Sequence, residues 1–155
     1  MAKATARKKK PGLGKLPTWD LSDLYPGTES AALKADLDGA EKDATGFRAR
    51  YLDKVAGLSG ADLGRAIREF ERLDEILVKA GSYAGLVHVT AMEDPEIGRF
   101  YQGIQERLTR ISTELLFFTL ELNKIEDALL EKRLEDPDVT RYRPWLRDLD
   151  RKSVV

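Results

Sequence analysis

Apolar residues recur along most of this chain at alternating spacings of four and three, the repeat of a helix with one buried face. The first such run follows the turn at Pro26-Gly27 and takes in Leu33, Leu37, Ala40, Ala44, Phe47, Tyr51 and Val55. It predicts a long amphipathic helix capped by Thr28 and ending near Gly57. A second begins at Ser59, where a serine three residues before Asp62 is a helix-start signature. Leu63, Ile67, Phe70, Leu73, Leu77, Ala80, Ala84, Val87 and Ala91 continue one face, and the helix should reach about Met92. Asp94-Pro95 opens a third, since Asp caps well and proline is accepted at the first helical position. Its stripe is the clearest: Ile97, Tyr101, Ile104, Leu108, Ile111, Leu115, Phe118 and Leu122. Leu116, Phe117 and Leu120 make its second half apolar almost all round, as expected of a central helix covered from several sides.

A shorter amphipathic piece, Ile125 to Leu134, stops at Asp136-Pro137, and Val139 to Leu149 reads as a last helical segment. The expectation is an all-α bundle of about five helices with no strand and no internal repeat. Two glycines interrupt the second helix. Gly81 and Gly85 each cost about 1 kcal/mol relative to alanine in a helix interior, and close approach of a neighbouring helix is the natural compensation, a local kink the alternative.

Composition agrees with this reading. Charged residues make up 34% of the 155 residues, and the aliphatics are mainly Leu and Ala, a balance suited to amphipathic helices and to one domain. Charge is unevenly placed. Lys3, Arg7, Lys8, Lys9, Lys10 and Lys15 stand among the first fifteen residues without an acid, leaving 20 basic against 27 acidic side chains in the remainder. Residues 1–15 are therefore expected to form a disordered basic tail. The tail offers no aromatic for base stacking and the body is acidic, so nucleic acid is not an expected partner. No run approaches the length of a membrane span and the first fifteen residues lack a secretory hydrophobic stretch, so no membrane partner is expected and the chain is read as cytoplasmic.

Candidate chemistry is sparse. There is no cysteine, which removes disulfides, thiolate metal sites and thiol nucleophiles. His88 is the one histidine, so any site needing two imidazoles on this chain, including an H-E-x-x-H zinc helix, is excluded. His88 lies beside Val87 and Val89 near a helix end and reads as a packed or groove-lining side chain. The carboxylate pairs Glu69 with Glu71, Asp74 with Glu75, and Glu135 with Asp136 read as solvated or ion-paired helix positions. GLSGADLG (Gly57 to Gly64) has glycines without the Lys-Ser/Thr pair of a phosphate loop and reads as a helix-to-helix turn. Ser22, Ser30, Ser59, Ser82, Ser112 and Ser153 have no base that spacing can pair with them. No catalytic, cofactor-binding or metal-ligating residue is assigned, and no cofactor is expected on this chain.

Four segments carry a resemblance in a fixed order: TWDLSDLYPG (Thr18 to Gly27), SYAGLVHVTAMEDPE (Ser82 to Glu96), ELLFFTLELNKI (Glu114 to Ile125) and YRPWLRDL (Tyr142 to Leu149). Together they resemble the amino-terminal region of the oligoendopeptidase F family, bacterial zinc metallopeptidases of the thimet-oligopeptidase-like group. The resemblance spans residues 16–149 and implies a helical amino-terminal domain, an incomplete lobe of a larger helical metallopeptidase that walls and lids a cleft for short peptides. It implies that Trp19, Leu21, Leu24 and Tyr25 anchor the chain onto the helical body, with Asp20 or Ser22 beginning a turn. The family's zinc, its H-E-x-x-H motif and its later His and Tyr residues have no counterpart here. The implied partners are a catalytic domain further along the same polypeptide and, in the full-length enzyme, short peptide substrates. Residues 150–155 depart from the family pattern, as a truncated reading frame would. On this reading Trp145, Leu146 and Leu149 would dock on absent helices and stand exposed. Two other readings remain: a stand-alone helical module that binds a partner helix or peptide, and, weakest, a basic-tailed nucleic-acid binder.

Overall fold

The computed structural model describes residues 18–151, all of whose regular structure is helical. The basic tail expected over residues 1–15 lies outside the described residues. Six α-helices follow in order: α1 (Ala31–Tyr51), α2 (Gly60–Thr90), α3 (Pro95–Asn123), α4 (Asp127–Leu134), α5 (Pro137–Thr140) and α6 (Arg143–Arg151), with one 3-10 turn at Val55–Gly57. The helix starts are set by local chemistry. Ser59 Oγ accepts the Asp62 N–H and donates to the Asp62 carboxylate, a reciprocal cap for α2. Asp94 accepts the Glu96 N–H ahead of Pro95 at the start of α3, and Asp136 serves α5 in the same way ahead of Pro137.

Several boundaries differ from the sequence expectation. Ser30, not Thr28, caps α1: its Oγ accepts the Leu33 N–H, while Thr28 sits in the preceding turn. α1 ends at Tyr51 rather than near Gly57, because Asp53 adopts a left-handed conformation (φ 62°) and the chain resumes as the short 3-10 turn. Val55 is nevertheless fully buried, so the apolar stripe runs on across a break in the helix. The expected last segment is two helices. Pro144 has no N–H to offer Thr140 and is accepted only in a first helical turn, so the chain breaks at Arg141-Tyr142 and restarts.

α1, α2 and α3 pack on one another, and apolar residues collect at both ends of this bundle. The larger core gathers Phe47, Leu63, Ile67, Ile111, Phe118 and Leu122 and is closed by Leu130, Leu134, Val139, Tyr142 and Leu146 from α4 to α6. Phe47 meets Phe118 edge-on at 5.0 Å, a favoured aromatic arrangement. Leu146 is buried, and Trp145 and Leu149 pack against the same core. The exposed patch expected at these three residues is not formed: Leu146 is buried and Trp145 and Leu149 are half-buried against their own bundle. Leu116 and Leu120, expected to be covered, are instead 55% and 50% exposed. Phe117, between them in sequence, is buried, with its ring centroid 5.8 Å from that of Phe47 on α1.

The smaller core holds Leu33, Leu37, Ala80, Tyr83, Ala84 and Ile104 around Tyr25. Tyr25 is 1% exposed, stacks edge-on against Tyr83 at 5.3 Å and donates its hydroxyl to Asp36 at 2.7 Å. Lys79 lies over the Tyr25 ring at 4.3 Å and pairs with Asp36 at 3.8 Å. Leu21 and Leu24 pack beside it, and Asp20 accepts the Ser22 N–H at 2.9 Å, forming the expected turn. Trp19 does not anchor anything: it is 69% exposed. One buried tyrosine with a partner for its hydroxyl holds the segment.

Candidate functional site

The residues with chemical potential are spread along α2 rather than gathered. Among the described residues no group of three or more His, Asp or Glu side chains is placed to hold a metal ion. Several of the carboxylates have structural partners. Glu69 binds Arg50 and accepts the Tyr51 hydroxyl, tying α1 to α2. Glu71 accepts the Tyr142 hydroxyl at 3.1 Å and faces Arg141 at 3.5 Å. Arg107 of α3 reaches Asp38 and Glu41 of α1 at 2.7 and 2.8 Å. Hydrogen bonds from Lys34 and then Arg107 hold the Asp38 carboxyl below the ordinary carboxylate range.

The glycines of α2 do not do what their positions suggested. A Cβ at Gly85 would meet nothing within 4 Å, so no helix approaches there; at Gly81 it would meet only the tip of Leu108 at 3.2 Å. The close approach lies a few turns earlier. A Cβ on Gly60 would stand 2.5 Å from Asp136 Cβ, and one on Gly64 2.7 Å from both Cβ and the backbone oxygen of Asp138. GLSGADLG is thus a turn followed by a seat for α5, because only glycine lets the Asp136 side chain and the Asp138 backbone lie against the first turns of α2. The sequence carried no sign of this, since the two partners are some seventy residues apart.

Gly85 instead floors an open groove of about 430 Å³, lined by Ser82, Gly85, Leu86, His88, Val89 and Tyr101. His88 stacks face to face on Tyr101 of α3, with ring centroids 4.5 Å apart and planes 10° apart. His88 is half-buried; its Nδ1 is enclosed without a hydrogen-bond partner. The histidine thus lines a groove, and its ring is held by stacking rather than by a carboxylate. Val78, Ser82, Gly85 and Val89 fall on one face of α2 at helical spacing, and Val78, Val89 and nearby Met92 are exposed. The groove carries small and apolar groups around His88 and no carboxylate lines it, so it suits contact with another surface rather than bond-making chemistry.

Compared with models of known families, with curated proteins and with solved structures, the chain matches none. Among the described residues no helix is long and apolar enough to cross a membrane.

Proposed function

We propose that this chain is the amino-terminal helical lobe of a zinc-dependent oligoendopeptidase of the oligoendopeptidase F type. It would shape the wall and lid of a cleft that admits short peptides, while a catalytic domain further along the same polypeptide supplies zinc, base and oxyanion donors. The observation that carries this reading is the ordered set of four segments from Thr18 to Leu149. Their structural roles are consistent with it. The first segment docks through Tyr25, the second forms the groove at His88 and the turn into α3, the third is the core half of α3, and the fourth closes the bundle. The exposed apolar residues Val78 and Val89 on α2, Met92 in the turn after it, and Leu116 and Leu120 on α3 are surface that a further part of such an enzyme would cover.

The same apolar surface also favours a second reading, a helical module that binds a partner protein without catalysing a reaction. Sequencing the encoding DNA through and beyond codon 155 separates the two. An open frame that continues to an H-E-x-x-H segment, with chelator-sensitive cleavage of short peptides by the whole product, supports the peptidase lobe. A stop directly after Val155 rejects it in favour of the module. Stoichiometric zinc bound tightly by the purified 155-residue chain would overturn both, since neither reading puts a metal on these residues.

A further inference from the structure

On the side of α2 that meets α6, a half-open pocket of about 290 Å³ is lined by Ile67, Phe70, Glu71, Asp74, Tyr142 and Trp145. Ile67 floors it, and Phe70 and Trp145 stand with ring centroids 5.9 Å apart and planes 31° apart. Glu71 and Asp74 are one helical turn apart on α2, so both carboxylates stand on the pocket's side of the helix. No basic side chain lines it. Aromatic faces carry negative charge density, and three of them beside two carboxylates form a surface that favours a cation with an apolar stem.

The protein already uses part of this chemistry. The Arg141 guanidinium lies 4.7 Å from the Tyr142 ring centroid and 3.5 Å from Glu71 Oε2, which also accepts the Tyr142 hydroxyl. Arg68, the other nearby base, is turned to Asp138 at 3.4 Å. Among the described residues Asp74 has no ion pair and Trp145 has no cation over its ring, so the half of the pocket away from Arg141 carries uncompensated negative potential.

We propose that this pocket binds a guanidinium group on an unbranched alkyl stem. Its volume lies at the lower end of ligand sites, which run from roughly 300 to 1,000 Å³, and suits one side chain rather than a larger molecule. A guanidinium is flat, weakly hydrated and able to lie against Phe70 or Trp145 while donating to Asp74; an ammonium is more strongly hydrated and lacks the flat face. The pocket lies nearer the amino-terminal end of α2 than the groove at His88 and shares no lining residue with it; the inference does not rest on the peptidase reading.

The test uses the full chain with Trp19→Phe, which removes the exposed tryptophan and leaves Trp145 as the reporter. Butylguanidinium should change Trp145 fluorescence saturably, with a weak dissociation constant of roughly ten to a hundred millimolar, as one partly exposed cation–π contact and ion pair would give. Butylurea, its neutral flat counterpart, should not. Asp74→Asn should weaken the binding by about three- to fivefold, and because Asp74 is exposed this variant should keep its helical circular dichroism. If an acetylated Gly-Arg-Gly amide binds at least as tightly as butylguanidinium, the group is presented by a peptide. If only butylguanidinium binds, it belongs to a free small molecule, and the pocket assignment stands in either case. No saturable response, an equal response to butylurea, or unchanged affinity in Asp74→Asn would overturn the proposal.

Discussion

The Glu121 carboxylate accepts the backbone N–H of Asp53 at 2.7 Å and, through its other oxygen, that of Val55 at 3.2 Å. A side chain on α3 therefore ties down the backbone of the turn where α1 ends, including the one non-glycine residue with a left-handed backbone among those described. Removing it leaves two N–H groups to water or to nothing. Glu121→Ala should cost about 1–2 kcal/mol, the range for charge-assisted bonds reduced for partial exposure. Asp53→Gly should stabilise by up to about 1 kcal/mol, since glycine adopts this conformation without the Cβ penalty. Urea unfolding midpoints of the two variants check both signs; a neutral Glu121→Ala would show that water replaces the carboxylate without loss.

The glycines of α2 should respond in opposite directions to the same change. Gly64→Ala puts a methyl against Asp138 backbone, which cannot swing away as a side-chain tip can, and should destabilise by about 1–3 kcal/mol. Gly85→Ala meets open space and should stabilise by up to about 1 kcal/mol through better helix propensity. Thermal unfolding of the pair decides the matter, and equal effects would contradict the placement of α5 on the start of α2.

Alkaline pH should unfold this protein through its tyrosines. Burial, reinforced by hydrogen bonding to Asp36, pushes the Tyr25 phenol well above its ordinary value of 10.0, and burial is also the first cause of the raised values of Tyr51, Tyr83 and Tyr142. A phenol harder to ionise when folded contributes stability that is fully present below pH 10 and is lost as pH rises beyond it. Stability measured in urea should hold to about pH 9.5 and then fall. Tyr25→Phe should reduce that fall and cost about 1 kcal/mol at neutral pH by unpairing Asp36 from the hydroxyl, whereas Trp19→Ala should change little. An unchanged alkaline limb in Tyr25→Phe would remove Tyr25 as its source.

The all-helical class, the positions of α2 and α3 and the caps at Ser59 and Asp94 were legible in the residues alone. Each depends on neighbours within a turn or two: apolar spacing, a side-chain oxygen two or three positions from the N–H it accepts, a proline where no N–H is needed. The break at Arg141-Tyr142 goes unread, although Pro144 marks it: Val139 to Leu149 reads as one helical segment in the sequence. Harder to see was the end of α1, because Val55 keeps the apolar stripe in phase across a chain that has left the helix.

What only the tertiary structure decided concerns pairs far apart in the chain. Whether a glycine is crowded depends on what crosses it, so Gly64 against Asp138 and open Gly85 look alike in sequence. Whether Trp19 or Tyr25 holds the first segment depends on which ring finds a pocket and a hydroxyl partner, here Tyr83 and Asp36. Leu116 and Leu120 are as apolar as Phe117, yet only Phe117 is buried, against Phe47 of α1. Helical periodicity follows from the chain's own geometry, while burial depends on the arrangement of neighbours, and that arrangement brings Trp145 and Asp74 to one pocket across some seventy residues of sequence.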